Sequence, residues 1–111
     1  MKRGEIYFAD LGKNIGSEQN GIRPVIIIQN DVGNKYSPTI IVAILTTKNK
    51  CKNLPTHVKL RERGQLKESV IMLEQLRTID KKRLLNKVGN ITVNELDSIN
   101  QALSISLALS R

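Results

Sequence analysis

The stretch Gly21-Ile22-Arg23-Pro24-Val25-Ile26-Ile27-Ile28-Gln29-Asn30-Asp31 joins an Arg-Pro pair to a continuous apolar run and then to polar turn residues. A short run of β-branched residues between such boundaries is typical of a strand buried on both faces. We predict a strand from Arg23 to about Gln29, with Pro24 at its first position because proline cannot donate to a sheet ladder. Arg23 then lies at the rim, where its guanidinium could solvate the strand end or bind a phosphate.

Other stretches on both sides of this run also predict strands. They are Glu5–Ala9, Thr39–Thr47, Thr56–Leu60 and Ser69–Leu73, the last continuing through Glu74-Gln75 into Leu76–Ile79. Between them we predict a long glycine-rich loop at 12–22, turns at Asn30–Lys35 and Ser37-Pro38, and a turn at Arg61–Gln65. Successive strands without intervening helices favour an antiparallel, strongly curved sheet or a small barrel.

The C-terminal part of the chain carries helical signals. Asp80 is a good N-cap for a short helix over Lys81–Lys87, which Gly89 would end. Thr92 and Glu95 fit a capping box, so a last helix should begin there. Its apolar side chains follow helical spacing, at Leu96, Ile99, Leu103 and Leu107, with Ala102 and Ile105 beside them. We expect this apolar face to pack on the sheet or on a second subunit.

The chain is strongly basic for its size. Its 111 residues, the length of one domain, include 18 Lys and Arg against 10 Asp and Glu, a formal net charge of +8. Such a balance indicates a polyanionic partner, most commonly nucleic acid, although charge that only maintains solubility would look the same. Seven basic residues and one acid, Glu62, lie between Lys48 and Lys67. We expect this segment to bind a nucleic-acid backbone, or to form a solvated loop.

The residues that usually bind metals or form disulfides are scarce. Cys51 and His57 are the only cysteine and histidine, which is too few for a standard metal site, and we predict neither a metal nor a cofactor. We interpret His57 as a structural, hydrogen-bonded side chain and Cys51 as a free thiol in a reducing compartment. No signal peptide precedes the first strand and no apolar run reaches membrane-spanning length, so we predict a cytoplasmic protein.

Three polar side chains stand at strand ends: Arg23, Thr46 and Glu74. In an antiparallel pair the start of one strand and the end of its neighbour lie at the same edge, so Arg23 and Thr46 could share a rim. A guanidinium beside a hydroxyl suits a phosphodiester. RNA carries its own nucleophile, the 2′-OH, and can therefore be cleaved without a metal. The spacing alone does not decide between binding and cleavage.

Segments along nearly the whole chain resemble one family. They are Lys2–Leu11, Gly16–Gln19, Gly21–Val25, Gln29–Asp31, Ser37–Thr39, Leu54–Val58, Glu74–Lys81 and Ile105–Leu109. Together they resemble the MazF/PemK (Kid) toxins of type II toxin–antitoxin modules, and within these the Gram-positive MazF branch. The resemblance implies a mainly β fold with a C-terminal α-helix, in which five to seven antiparallel strands form an SH3-like small barrel of the CcdB/MazF type. It also implies that residues 1–111 form a single toxin domain and that the protein is a homodimer.

The same resemblance implies an activity. Such proteins are sequence-specific, metal-independent and ribosome-independent endoribonucleases, or mRNA interferases, which cleave single-stranded RNA by 2′-OH attack. The products are a 2′,3′-cyclic phosphate or 3′-phosphate and a 5′-hydroxyl, and the inhibitory partner is an acidic MazE-like antitoxin. The alternatives are a gyrase-poisoning CcdB-like toxin on the same barrel and a non-catalytic RNA-binding barrel.

The resemblance also implies which residues act. The catalytic arginine and threonine of the family fall on Arg23 and Thr46, rather than on Thr47. The positions implied to contact RNA are Arg3, Ser17, Glu18, Gln19, Lys48, Glu74, Gln75 and Arg77. The Kid branch has an arginine two residues before the acid that serves it as a base, and here that position is Met72. We therefore carry over only Arg23 and Thr46 as catalytic, and assign dimer contacts to the last helix and to Ile71–Leu73.

Overall fold

The computed structural model describes residues 1–12, 21–47 and 53–109. The elements in chain order are β1 (Glu5–Asp10), β2 (Ile22–Ile27), α1 (Asp31–Tyr36), β3 (Thr39–Thr47), β4 (His57–Leu60), β5 (Ser69–Asp80), a 3₁₀ turn (Lys81–Arg83), β6 (Leu84–Asn90) and α2 (Val93–Ser106). The six strands form one antiparallel sheet in the order β4-β5-β3-β2-β1-β6. The predicted mainly β fold with a C-terminal helix is confirmed.

The central strands are buried on both faces, which explains why their sequences are continuous apolar runs. Successive side chains of a strand point to opposite faces. Val25 and Ile27 lie in one buried cluster, whereas Ile26 lies in the other. Helix α2 covers this second cluster with Ile99 and Leu103.

Strand β2 begins at Ile22, so Pro24 is its third residue rather than its first. Backbone groups of a strand point alternately to its two neighbours. The Leu11 N–H donates to the Gly21 carbonyl at 2.6 Å. Because the directions alternate, the backbone N–H and C=O groups of Arg23, and of every second residue after it, also point towards β1. The backbone nitrogen of Pro24 therefore points towards β3, and the β2–β3 ladder ends one residue later, at the pair Val25–Ile44. A proline is tolerated there because its missing N–H affects only the end of that ladder.

The turn predicted at Asn30–Lys35 is wrong, because a short helix, α1, occupies this segment. The Asn30 side chain caps it by accepting a hydrogen bond from the Gly33 N–H at 2.8 Å. An asparagine followed by an aspartate favours a helix N-terminus as well as a turn. The composition of so short a segment does not separate these two outcomes.

The helix predicted over Lys81–Lys87 is also wrong beyond its first turn. Asp80 does cap, accepting from the Lys82 N–H at 2.8 Å, but only the 3₁₀ turn Lys81–Arg83 follows. The chain then continues as β6, which pairs with β1. The edge of β1 offers backbone donors and acceptors that need partners, and this requirement overrides a weak local helical preference.

Strand β5 continues from Ser69 to Asp80 as one strand with a bulge in its middle. Ala43 of β3 opposes Leu76, whereas the next residue, Ile44, opposes Met72. Leu73–Gln75 therefore have no opposite residues in β3. A bulge bends a strand and redirects its side chains, and this one carries Glu74.

Helix α2 begins as predicted, with a complete capping box. The Thr92 hydroxyl accepts from the Glu95 N–H at 3.1 Å, and the Glu95 carboxylate accepts from the Thr92 N–H at 2.8 Å. Towards its end the helix is less covered, since Ile105 is 54% and Leu107 51% exposed. No helix among the described residues is long and apolar enough to cross a membrane.

Candidate active site

Arg23 and Thr46 lie at one rim of the sheet. The β2–β3 ladder ends at Val25–Ile44, and continuing its register by two residues places Arg23 opposite Thr46. The Arg23 guanidinium is half-buried and donates from Nη2 to the Leu45 carbonyl at 3.2 Å. Two residues that are 23 positions apart in the sequence thus meet because an antiparallel pair brings the start of one strand to the end of the next.

A cleft of about 280 Å³ opens at this rim. Its apolar lining consists of Phe8, Pro24, Leu45 and Leu66, and its polar lining of Arg23, Thr46, Thr47, Gln65, Lys67 and Ser69. The combination of an apolar surface with two cations and several hydroxyls suits a ligand that has both a flat apolar part and an anionic part. A nucleotide has both.

One wall of the cleft comes from the turn between β4 and β5. Arg63 and Leu66 exchange backbone hydrogen bonds of 3.0 and 2.8 Å, and the Leu66 side chain is buried. Between them Gly64 has a φ of +53°, and a Cβ at this position would lie 2.8 Å from the Val88 carbonyl oxygen, so only glycine fits. Gln65 and Lys67 flank the buried Leu66 and are exposed at the cleft.

Phe8 and Gln65 are site residues that sequence reasoning did not single out, and Lys67 was marked only as part of a basic segment. The pairing of β1 with β2 places Phe8 opposite Pro24. This register could have been inferred from the two strand predictions, whereas the position of the Gln65 turn depends on long-range packing.

Glu74 lies outside this cleft. Thr46 opposes Val70, so Glu74 is four residues further along β5, within the bulge. Its carboxylate accepts from the Thr56 hydroxyl at 2.7 Å and lies 3.0 Å from Nε2 of His57. Partial burial acts to raise the pKa of Glu74, but the hydrogen bonds from Thr56 and His57 outweigh it and leave the pKa below its ordinary value. Such a carboxylate accepts hydrogen bonds well and takes up a proton poorly.

His57 fits its structural interpretation. Its side chain is 5% exposed and is held by Glu74. Its other ring nitrogen, Nδ1, is buried without a hydrogen-bond partner among the described residues. Across those residues, no group of three or more His, Cys, Asp or Glu side chains is arranged to hold a metal ion.

The remaining residues that the resemblance links to RNA are dispersed. Arg3 donates from Nε to the Ile28 carbonyl and from Nη2 to Asn100, both at 2.8 Å, which connects the start of β1 to α2. Gln75 is exposed in the bulge, and Arg77 is half-buried on β5. Four predicted positions lie outside the described residues: Ser17, Glu18, Gln19 and Lys48.

This fold is that of a known class of small bacterial toxins. A family model described as "PemK-like, MazF-like toxin of type II toxin-antitoxin system" matches residues 2–107, and the chain belongs to that family. The resemblance drawn from the sequence segments is confirmed.

Individual relatives agree with this assignment. The chain is 51% identical over 111 residues to endoribonuclease EndoA of Bacillus subtilis (strain 168), covering 98% of this chain and 96% of that protein. A solved endoribonuclease in complex with its cognate antitoxin, from a Mycobacterial species, matches with a TM-score of 0.84 at 26% identity, over 100% of this chain and 98% of that one. A MazE-MazF structure (Form-II) from Deinococcus radiodurans has the same fold, with a TM-score of 0.80 at 19% identity, over 99% and 97% of the two chains.

Proposed function

We propose that this chain is the endoribonuclease toxin of a type II toxin–antitoxin system, and that it cleaves single-stranded RNA at the Arg23–Thr46 cleft. The observation that carries this proposal is the meeting of a guanidinium and a hydroxyl at the rim of a cleft in a strongly basic chain. Membership of the PemK-like, MazF-like family and the 51% identity to a named endoribonuclease support it. The cleavage is sequence-specific and requires neither a metal nor the ribosome.

The reaction is a transfer within the RNA chain. The 2′-oxygen attacks the adjacent phosphorus, so the O2′–P bond forms while the P–O5′ bond breaks. The 2′-OH loses its proton and the leaving 5′-oxygen gains one, which gives a 2′,3′-cyclic phosphate and a 5′-hydroxyl; water can then open the cyclic phosphate to a 3′-phosphate. Extra negative charge develops on the phosphoryl oxygens in the transition state. The Arg23 guanidinium stabilises this charge and the Thr46 hydroxyl donates a hydrogen bond to it.

The cleft also accounts for a single-stranded substrate. Unpaired bases can leave the stack and pack on aromatic or apolar side chains, whereas paired bases cannot. A base placed against Phe8 and Pro24 would set its phosphate beside Arg23, and Lys67 is available for a neighbouring phosphate. The Gln65 amide oxygen accepts from the Asn86 side chain at 3.2 Å, and its NH₂ group is placed to donate to a base edge.

Exposed side chains of the basic segment between Lys48 and Lys67 should contribute to RNA affinity through phosphate contacts. Lys59 and Arg61 are exposed on and just after β4, in the basic segment. The variants are made in a Thr46→Ala background, which allows binding to be measured without cleavage. We expect the double variant Lys59→Ala with Arg61→Ala to reduce the slope of the logarithm of the RNA association constant against the logarithm of salt concentration by about 1.4, since each single-strand phosphate contact contributes about 0.7. Fluorescence anisotropy with labelled RNA at several salt concentrations measures this slope.

The matched control removes two charges elsewhere. Lys35 and Lys82 are also exposed, on α1 and on the 3₁₀ turn. Replacing both with alanine should leave the slope nearly unchanged. Equal slopes for the two double variants would show that the basic segment does not contact the RNA backbone.

The proposal includes two protein partners. The exposed apolar end of α2, together with Leu54, borders a groove of about 460 Å³ and suits a second copy of the chain. The formal charge of +8 suits an acidic antitoxin, whose tail would compete with RNA for the basic surface. Sedimentation should give a dimer, and a monomer would contradict the proposed second copy. An acidic antitoxin peptide should displace RNA, and simultaneous binding of RNA and peptide would contradict the proposed competition.

One assay separates the proposed activity from its alternatives. Incubation of the protein with a mixed-sequence single-stranded RNA in EDTA should give discrete fragments with 5′-hydroxyl ends. Intact RNA together with inhibited DNA supercoiling would instead indicate the gyrase-poisoning function. RNA that is shifted in a gel but remains full length would indicate a non-catalytic binding barrel.

A further inference from the structure

The Leu45 carbonyl lacks its usual backbone partner. In an antiparallel ladder every second opposed pair exchanges two hydrogen bonds. The Ile28 N–H donates to the Ile41 carbonyl at 3.0 Å, so Ile28 and Ile41 are a hydrogen-bonded pair. Moving along the ladder by two residues at a time, the next such pairs are Ile26 with Ala43 and residue 24 with Leu45. The N–H of residue 24 would therefore donate to the Leu45 carbonyl. Residue 24 is proline and has no N–H.

The independent pairing on the other side of β2 gives the same phase. The Leu11–Gly21 hydrogen bond directs Arg23 towards β1 and hence Pro24 towards β3. The two observations involve different strands and different hydrogen bonds. The absence of a β2 backbone donor for the Leu45 carbonyl is therefore a property of the register and does not depend on one contact.

The Arg23 side chain supplies the missing donor. Leu45 is fully buried, and a buried carbonyl without a donor is costly. Nη2 of Arg23 satisfies it at 3.2 Å, which holds the guanidinium next to Thr46, the residue that follows Leu45. A guanidinium has further N–H groups, so one can be used as an anchor while others face the cleft.

We propose that Pro24 is a positioning residue, which keeps the Leu45 carbonyl free of a backbone donor so that this carbonyl anchors the Arg23 guanidinium beside Thr46. The inference rests on the proposed function, because it concerns the residue that stabilises the transition state. A charge held in place before the reaction needs no reorganisation as the transition state forms. An alanine at position 24 would restore an N–H directed at the Leu45 carbonyl, where it would compete with the Arg23 guanidinium for this acceptor and weaken its anchor.

The experiment must separate the missing N–H from the proline ring, which also lines the cleft. Cys51 is the only cysteine, so the full chain can be assembled by native chemical ligation of a synthetic segment 1–50 to a segment beginning at Cys51. Three chains are compared: the natural sequence, Pro24→Ala, and Pro24→N-methylalanine. The last two have the same side chain and differ at the backbone nitrogen of residue 24, which carries a hydrogen in alanine and a methyl group in N-methylalanine.

We expect kcat for RNA cleavage to be at least about tenfold lower with Pro24→Ala than with Pro24→N-methylalanine, whereas the loss of the proline ring from the cleft should change KM to the same extent in both variants. Circular dichroism should show that both are folded. Equal activity of Pro24→Ala and the natural sequence would overturn the proposal. Equal losses in both variants would also overturn it, because the ring would then be responsible.

A second readout does not depend on catalysis. The three chains are also prepared with ¹⁵N-labelled arginine at position 23, and the exchange of the guanidinium hydrogens with solvent is measured. These hydrogens should be protected when residue 24 is proline or N-methylalanine, and should lose protection when it is alanine. If the natural sequence does not cleave RNA, the proposed function fails, and this protection pattern still decides whether Pro24 positions Arg23. The same protection in all three chains would refute the positioning role.

Discussion

Replacing Arg23 with alanine should lower kcat/KM for RNA cleavage by about 10²–10³-fold, the usual cost of removing one donor that stabilises a transition-state oxyanion. The loss should fall mainly on kcat, because the additional phosphoryl charge exists only in the transition state. The fold should survive, since Arg23 is half-buried at a rim and its hydrogen bond to the Leu45 carbonyl lies at the end of the β2–β3 ladder. Single-turnover cleavage of a defined RNA, followed on a gel, gives the ratio.

Two comparisons sharpen this test. Lys82→Ala removes one exposed positive charge outside the cleft and should leave the rate within about twofold, since a distant exposed charge is screened by salt. Thr46→Ala should also lose most activity while remaining folded. Cleavage by either Arg23→Ala or Thr46→Ala at nearly the natural rate would show that the cleft is not the active site.

Replacing Arg63 with methionine should lower the free energy of unfolding by about 2–3 kcal/mol, which is typical of breaking a partly buried, hydrogen-bonded ion pair. Arg63 donates from Nη1 and Nη2 to the two carboxylate oxygens of Glu95, at 2.7 and 2.6 Å. It also donates to the carbonyls of Asn90 and Arg61, both at 3.0 Å. The Arg63 and Glu95 side chains are only 20% and 18% exposed, so solvent screens the pair incompletely. Urea unfolding measures the difference.

The pH dependence gives this prediction an internal check. The hydrogen bond from Arg63 is the largest reason why the pKa of Glu95 lies below its ordinary value. A carboxyl whose pKa is lowered in the folded state stabilises the fold above its unfolded pKa, and this contribution disappears as the pH falls through the folded pKa. The difference in the free energy of unfolding between the natural protein and Arg63→Met should therefore be largest at pH 7 and shrink below about pH 4. A pH-independent difference would mean that the pair acts through packing alone.

The double variant Arg63→Met with Glu95→Gln completes the test. If the two side chains act mainly on each other, the double variant should be more stable than the sum of the single losses implies, because no unpaired charge remains. Glu95 also takes part in the capping box of α2, so Glu95→Gln alone should still cap in part. Strictly additive losses would contradict a direct coupling.

Local chemistry was sufficient for some elements. The bounds of β3 were predicted correctly because threonines and a proline enclose a long apolar run, and α2 was found because Thr92 and Glu95 form a capping box. The predicted meeting of Arg23 and Thr46 required only the antiparallel order of neighbouring strands, and the family resemblance added the choice of Thr46 over Thr47.

Other features depend on contacts that no local pattern encodes. Strand β6 pairs with the edge of β1. At the bulge in β5 the Leu73 N–H donates to the Thr56 carbonyl at 2.9 Å, and the Leu73 carbonyl accepts from the Ser106 hydroxyl at 2.8 Å. Gln65 lies at the cleft on a turn that Arg63 ties to the Asn90 carbonyl and to Glu95 of α2. Such partners lie tens of residues away, so composition and periodicity around each position cannot reveal them.

The turn that carries Gln65 and Lys67 has a consequence for how such a toxin can diversify. Its backbone is fixed by the Arg63–Leu66 pair, the glycine at 64 and the ion pair to Glu95, while the two side chains that flank Leu66 are exposed and bury no core surface. Substitutions at these two positions therefore cost little stability. Under the proposed function, a lineage could alter the wall of the cleft, and with it the RNA sequence that fits, while Arg23 on β2 and Thr46 on β3 stay unchanged.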